Sequence, residues 1–550
     1  TGLQHSITLD VGGTSITKNF SGYETVSFDS TVASNAIPTL PTVDFVLTPG
    51  TGVVNRTHIS FLRLLYPHKT DYTSEYFNCR KLTIPGQFDM NGKTLTQITT
   101  TYTSLGNPKF FMLSGDTVTR LSTNLVGYTL ASMIPTNGSD KNCLIIDSTF
   151  TTQNGKMQFE PVYSTPQSFA RFRNLNDGNG FDYLIITNDS LSQSAADYAS
   201  YRSTTGFTPL VVDVDELYDQ FSFGIQQHPL AIRNFAKYAF DQFSLKPKYM
   251  LLLGKSVSNT RVRFTGNNNY ASALANWNLN YVPTFGSPPA DMLFTCFSQD
   301  TMPRPVFPVG RISARNNADV YAYLDKITAH ENQLQQCPQD WQKRILHFGG
   351  GNTGAQQVQI SAMLNEYANI ARDTLMGATV KTFLKTSTDP IQIDLSQYLQ
   401  SLIDSGSALM TFVAHASGTS FDISTDVPQN YNNKDRYPII LANSCFVGDI
   451  HDGARRIAED FVLLPDKGSI GFIAQPDVGL LDNLQYYSRE FYAQMARYNY
   501  GSSVGEIMSA VVDSMLNLPI VNSNFNGYFI FKSVITGMTL SGDPAMKMNS

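Results

Sequence analysis

Two runs of the chain end alike. Ala408-Leu409-Met410-Thr411-Phe412-Val413-Ala414 stops at His415, and Tyr437-Pro438-Ile439-Ile440-Leu441-Ala442-Asn443-Ser444 stops at Cys445. Neither run alternates apolar with polar residues. Unbroken apolar runs of this length suit strands covered on both faces of a parallel sheet, and such sheets carry function where their strands end. The loops that follow, Ala416-Ser417-Gly418 and Phe446-Val447-Gly448-Asp449, hold the small residues that a tight turn needs. Neighbouring strands lie about 4.8 Å apart, so an imidazole and a thiol at matching carboxyl ends come towards hydrogen-bonding reach. An imidazole beside a thiol shifts it towards a thiolate-imidazolium pair. His415 and Cys445 are therefore a candidate base and nucleophile. His451 stands nearer to Cys445 in sequence and is a rival base, although it follows the loop rather than ending a strand.

Working outward, strand and helix patterns alternate from Phe181-Asp182-Tyr183-Leu184-Ile185-Ile186-Thr187 onward. Strands are expected at Leu210-Val211-Val212 and Tyr249-Met250-Leu251-Leu252-Leu253. Between them a helix gathers Ile232, Phe235, Ala236, Ala239 and Phe243 on one face. Val306-Phe307-Pro308-Val309 precedes a helix with Val320, Leu324 and Ile327 on one face, and Gln333 to Pro338 breaks the pattern. A second series follows: Arg344 to Phe348, a helix around Ile360 to Leu364, Thr379 to Leu384, the two runs quoted first, and Ser469 to Ala474. Helices near 482–498 and 503–517 are expected to close it. Before residue 178 the chain shows no convincing helix, only turn signals such as Pro49-Gly50 and Asn137-Gly138 between β-branched and aromatic runs. That reads as an all-β sandwich or a pair of sheets. The expectation is a multidomain chain: a β-rich region over 1–178, an α/β subdomain over 179–338, and a second over 339–550 that carries His415 and Cys445. Both α/β parts are expected to be doubly wound.

The bulk composition sets outer limits. A chain of 550 residues exceeds a single core. Its net charge of −6, with no recurring Lys/Arg cluster, argues against a nucleic-acid partner. No run approaches the eighteen or so apolar residues of a membrane span, and Thr1-Gly2-Leu3-Gln4-His5 lacks the regions of a signal peptide. A soluble chain, or one whose signal has been removed, is expected. Richness in Thr, Ser, Asn, Tyr and Phe leans towards an extracytoplasmic setting. Five cysteines cannot all pair. Cys79 and Cys143 share the amino-terminal region and are either a disulfide or two buried thiols, Cys296 reads as core, and Cys337 precedes Pro338 in a loop.

Strand-His-x-Ser followed 30 residues later by strand-Ser-Cys-x-x-Gly-Asp resembles the gingipain family of cysteine peptidases. Pro308-Val309-Gly310-Arg311-Ile312 resembles that family's strand-Gly-Arg segment, and Ser541-Gly542-Asp543-Pro544-Ala545 its Gly-Asp-Pro-Ala stretch. The resemblance covers roughly 181–548. It implies a caspase-like architecture, with Cys445 as nucleophile, His415 as base, and the backbone N–H groups of Ala416 and Cys445 as an oxyanion hole. A β-rich region ahead of the peptidase most resembles the family's sortase branch, which serves the bacterial type IX secretion system. That implies exported protein substrates, other secretion components and a lipopolysaccharide acceptor as partners. It places the chain at the surface of a Gram-negative bacterium, bound to the outer membrane or secreted. The competing expectation is a peptidase fold with weakened catalysis that serves as a binding or structural component of a secretion complex.

Departures from the family pattern accompany the match. Ala416 stands where Gly is usual, and Lys255 follows Gly254 where an acid is usual. Val306 occupies the place of the acid that would orient His415. Asp291, Asp300 and Asp422 are the candidate substitutes by proximity to the relevant loops. No cofactor is required. A structural calcium fits the resemblance, yet Asp213-Val214-Asp215-Glu216 has no EF-hand spacing, and no metal ligand is assigned. Gly349-Gly350-Gly351-Asn352-Thr353-Gly354 looks like a phosphate-binding turn but lacks Gly-Lys-Ser/Thr, and reads as an ordinary strand-to-helix loop.

Overall fold

The structure is a computed structural model. It describes strand segments between residues 4 and 147, and all of 180–548 except 223, 264–269, 298–302, 373–374, 394–395, 418, 425–426 and 519–524. Two compact units emerge, one formed by residues 61–169 and the other by 1–60 with 170–550.

In the smaller unit one four-stranded sheet is ordered Asp71–Tyr72, Leu95–Tyr102, Thr129–Pro135, Thr123–Val126. The other is ordered Cys79–Ile84, Lys141–Asp147, Pro108–Ser114, Thr117–Arg120. Leu130 and Ile134 of the first sheet share a buried cluster with Ile84, Phe110, Cys143 and Ile145 of the second. Side chains alternate across a strand, so one face of each sheet meets the other. The Cys79–Cys143 disulfide does not form: Cys143 is a free, buried thiol. Register explains it, since Cys143 pairs with Leu82 while Cys79 pairs with Ile146. Three residues along a strand is about 10 Å, beyond the reach of a disulfide. Burial pushes the Cys143 thiol up to about 11.

In the larger unit the strands Gln4–Val11, Thr14–Ser21 and Val43–Thr48 form an antiparallel sheet with the first in the centre. The remainder is built on one ten-stranded sheet. Its strands are β1 (Tyr183–Thr187), β2 (Pro209–Asp213), β3 (Tyr249–Leu253), β4 (Val309–Ile312), β5 (Arg344–Gly349), β6 (Thr379–Leu384), β7 (Leu409–Val413), β8 (Ile439–Asn443), β9 (Gly471–Ala474) and β10 (Thr539–Ser541). Their spatial order is β2-β1-β3-β4-β10-β9-β8-β7-β5-β6. The strands β1 to β4 pair in parallel, as do β5 to β9, and each set has its own crossover helices. The two α/β halves expected from the sequence thus share one continuous sheet.

Unbroken apolar runs form these strands because both faces are covered. In β1, Tyr183 and Ile185 join one buried cluster while Leu184 and Ile186 join the other. Helices Ser192–Thr204 and Asn317–Leu334 cover the first face, and Val214–Phe221 with Leu230–Gln242 the second. Asp213, at the end of β2, caps Val214–Phe221 by accepting the Asp215 N–H at 3.0 Å, so the acidic stretch is a helix start.

The segment after 517 departs from expectation. Helix Phe525–Gly537 leads into β10, which lies between the two halves, antiparallel to β9 and bridged to β4 through Ser541 and Arg311. The Gly-Asp-Pro-Ala stretch therefore follows a strand in the middle of the sheet. A Cβ on Gly310 would lie 2.3 Å from the Gly542 carbonyl oxygen, which is why glycine stands at this seam. Asp543 is buried and receives the Arg202 guanidinium at 2.7 Å, fixing the end of the stretch.

Candidate active site

Strands β7 and β8 are adjacent and parallel, with Val413 opposite Asn443. His415 and Cys445 each lie two residues beyond those partners, so the ladder carried forward sets one opposite the other. The intervening pair is tied: Ser444 Oγ donates to the Ala414 carbonyl at 2.8 Å, and the Ala414 N–H donates to Asn443 O at 3.3 Å. Asn443 is held from the helix side by Ser488 Oγ at 2.6 Å. Matched register on adjacent strands, about 4.8 Å apart, is what brings two residues 30 apart in sequence to one place.

Cys445 is half-buried at a sharp turn. Phe446 takes a φ of +60°, a left-handed conformation that bulky residues adopt at an energetic cost, and its N–H donates to Asp477 O at 3.0 Å. The Cys445 thiol lies 3.3 Å from Gly479 O and accepts the Gly479 N–H at 3.4 Å. A thiol donates to the carbonyl, and a thiolate is favoured by the N–H. In the loop beyond, Asp449 and Asp452 are both paired with Arg261, at 2.9 and 3.1 Å.

His415 is exposed and opens a small hairpin in which the Asp422 N–H donates to His415 O at 2.8 Å and the Ser417 N–H to Ser420 O at 2.9 Å. Ala416 faces Phe421 in the non-hydrogen-bonded position of this antiparallel bridge. Its own N–H therefore points out of the hairpin. The His415 ring reaches Gln356, with Nε2 3.3 Å from Oε1. Among the described residues no hydrogen bond joins the His415 ring to the Cys445 thiol.

The three candidate acids fall in different places. Asp291 is buried and taken by Arg311, whose Nε and Nη2 lie 2.6 and 3.0 Å from its two oxygens, with Thr284 Oγ1 at 2.8 Å. Burial raises its pKa, and Arg311, helped by His451 and the Thr284 hydroxyl, more than reverses this and holds the carboxyl below its ordinary value. Asp422 adjoins His415 through the backbone, but its carboxylate turns to the Gly351 N–H at 2.9 Å and the buried Lys385 ammonium at 3.4 Å. The glycine-rich turn thus cradles an anion, and the anion is the chain's own. Asp300 lies outside the described residues. Val306 is exposed, and its N–H donates to Thr295 O at 3.0 Å.

Two other histidines of the sheet and its loops are structural. His347 is fully buried, with Nε2 2.8 Å from the Tyr492 hydroxyl, and burial pulls it down to about 3. His451, the rival base, is fully buried against Ser256 Oγ at 2.5 Å from Nδ1, and burial likewise takes it down to about 3. Lys255, in place of the family's acid, is buried in an ion pair with Glu459 at 2.7 Å, and burial lowers it to about 8. Its ammonium and Ser313 Oγ both reach the Ile450 carbonyl, which ties the loops after β3 and β4 to the loop after Cys445. Gln356 and Gly479 are the contacts that sequence reasoning missed. Gln356 carried one signal, its place in the helix start after a glycine-rich turn.

The sheet, covered on both faces, sets an imidazole and a thiol at adjacent strand ends. The family model for Peptidase family C25 matches residues 176–549, and the chain belongs to that family of cysteine peptidases. The fold is similar to that of gingipain R (RgpB), the Arg-specific cysteine proteinase, at a TM-score of 0.50 and 15% identity, covering 71% of this chain and 80% of that one. The complex of Porphyromonas gingivalis RgpB pro- and mature domains matches at a TM-score of 0.50 and 14% identity, covering 66% and 78%. Dimeric latent PorU from Porphyromonas gingivalis, at 15% identity over 66% of this chain and 37% of that one, gives a TM-score of 0.26, too low to support an argument. No curated protein matches. Among the described residues no helix is long and apolar enough to cross a membrane, and no group of three or more His, Cys, Asp or Glu gathers to hold a metal ion.

Proposed function

We propose that the chain cleaves peptide bonds with Cys445 as nucleophile and His415 as base. The observation that carries this is their matched position at the ends of β7 and β8. The imidazole takes the thiol proton, and the thiolate attacks the scissile carbonyl. The tetrahedral oxyanion faces the N–H groups of Ala416 and Cys445. Imidazolium then protonates the leaving amine, and a thioester remains on Cys445. The His415 ring keeps its Gln356 contact, and its gap to the thiol closes when substrate binds. Such contacts are often loose before substrate binds. Iodoacetamide labelling of the native protein tests the assignment. Read site by site by peptide mapping, Cys445 should label faster than the buried Cys143 and Cys296, and Cys445→Ala should abolish cleavage of a mixed peptide library while the exposed Cys337 still labels. A Cys445 that labels no faster than those thiols sinks the enzyme assignment.

The finer reading is a sortase. A β-rich region ahead of the peptidase supports it, since a digestive protease has little need of one. In that reading the thioester is attacked by an amine of an acceptor such as lipopolysaccharide, after removal of the carboxyl-terminal signal of an exported protein at a Gram-negative cell surface. Conjugate formed by the native chain and absent from Cys445→Ala supports transfer, whereas hydrolysis alone under saturating acceptor leaves a peptidase. The neutral partner of His415 favours a second reading, a fold retained in a secretion complex with weakened catalysis.

A further inference from the structure

We propose that Gln356 is the positioning residue for His415 and that it fixes the tautomer in which Nδ1 is the base. This deepens the peptidase assignment and rests on it. Helix Gly354–Ala371 begins beside the glycine-rich turn, with Thr353 as its cap: Thr353 Oγ1 accepts the Gln356 N–H at 3.3 Å. The Gln356 side chain folds back so that Oε1 accepts the Asn352 N–H at 3.0 Å and stands 3.3 Å from His415 Nε2.

A backbone N–H only donates, so the atom of Gln356 that faces Asn352 is the carboxamide oxygen, not the nitrogen. The same oxygen faces His415. An oxygen with two lone pairs only accepts, so His415 Nε2 must carry the proton. In the neutral ring Nδ1 is then the bare nitrogen, the one able to take the proton of Cys445. The backbone of Asn352 thus sets the amide, and the amide sets the imidazole.

This contact stands where a carboxylate would orient the ring in related enzymes, and the two described candidate acids are engaged elsewhere: Asp291 with Arg311, and Asp422 with Gly351 and Lys385. An amide supplies direction without charge. It leaves the imidazolium, once formed, without an anionic neighbour, which a carboxylate would provide. Glu at this position keeps both acceptor contacts, so the replacement suits the local fold.

The test uses the full chain and three forms of it: native, Gln356→Ala and Gln356→Glu, with iodoacetamide as the probe of Cys445 from pH 5 to 10. Gln356→Ala should slow alkylation at neutral pH by about 10- to 100-fold, the cost of a misplaced catalytic group. Peptide-library cleavage should lose kcat with KM unchanged. Gln356→Glu should restore the rate and move the upper pH limb of kcat/KM upward by about one unit, since an adjacent carboxylate favours the imidazolium. Thermal unfolding of each variant separates a damaged helix start from a misdirected ring, because only the latter spares Tm. Fast native labelling, with Gln356→Ala matching the native rate and pH profile, overturns the positioning role and leaves the peptidase assignment intact. Slow native labelling at Cys445 overturns the assignment and this role with it.

Discussion

Replacing Asp291 by Asn separates a structural acid from a catalytic one. The Arg311 side chain is fully buried, and each of its five N–H groups finds an acceptor. Nε and one N–H of Nη2 reach Asp291, Nη1 reaches Gly254 O at 3.0 Å and Val282 O at 2.8 Å, and the other Nη2 N–H reaches Pro283 O at 3.2 Å. The carbonyls satisfy donors but do not neutralise charge, so Asp291 is the counter-ion. Asp291→Asn leaves a buried guanidinium uncompensated, which costs about 3–5 kcal/mol. The double variant Asp291→Leu/Arg311→Met removes both charges, so its loss should fall clearly short of the sum of the single losses. Urea unfolding followed by tyrosine and tryptophan fluorescence measures these values, and native iodoacetamide labelling of Cys445 reads the site. Under conditions where Asp291→Asn remains folded, the labelling rate should match that of the native chain. A loss below about 1 kcal/mol accompanied by slow labelling would refute the assignment and make Asp291 a partner of the site.

The larger unit should be acid-sensitive through its buried histidines, His330 among them, and most through two. His347 and His451 are lowered to about 3 by burial, so between pH 6.5 and 3 the unfolded chain takes up protons that the folded chain does not, and stability falls as pH falls. At pH 5 each contributes about 2 kcal/mol of loss. His347→Leu should remove its share, since Tyr492 keeps the Thr411 hydroxyl at 2.6 Å, and the check is the slope of urea stability from pH 7 to 5. Gly310→Ala should destabilise by about 1–3 kcal/mol, because its Cβ meets the Gly542 carbonyl at 2.3 Å with backbone on both sides, and a Tm equal to that of the native chain would count against the seam as described.

Much of the sheet was legible because strands covered on both faces have to be apolar throughout. The runs ending at His415 and Cys445 are such strands, and so are Tyr183–Thr187 and Tyr249–Leu253. β10 escaped notice because it is three residues long and its place depends on β4 and β9, not on its own pattern. The acid near His415 was illegible for a related reason. Asp291, Asp300 and Asp422 are equivalent by proximity in sequence, and only the positions of Arg311, Lys385 and Gly351 show where two of those carboxylates are committed.

By itself the sequence determined that the long apolar runs are strands, that a histidine and a cysteine end two of them, and which family they resemble, since these follow from local composition and spacing. Tertiary structure decided the rest. It made one sheet of two halves, excluded Cys79–Cys143 by a three-residue register, buried His451 away from solvent, and set Gln356 against the His415 ring. Each of these turns on distances between residues far apart in the chain. Such distances are fixed by how strands align and how helices close over them, and no local pattern encodes them.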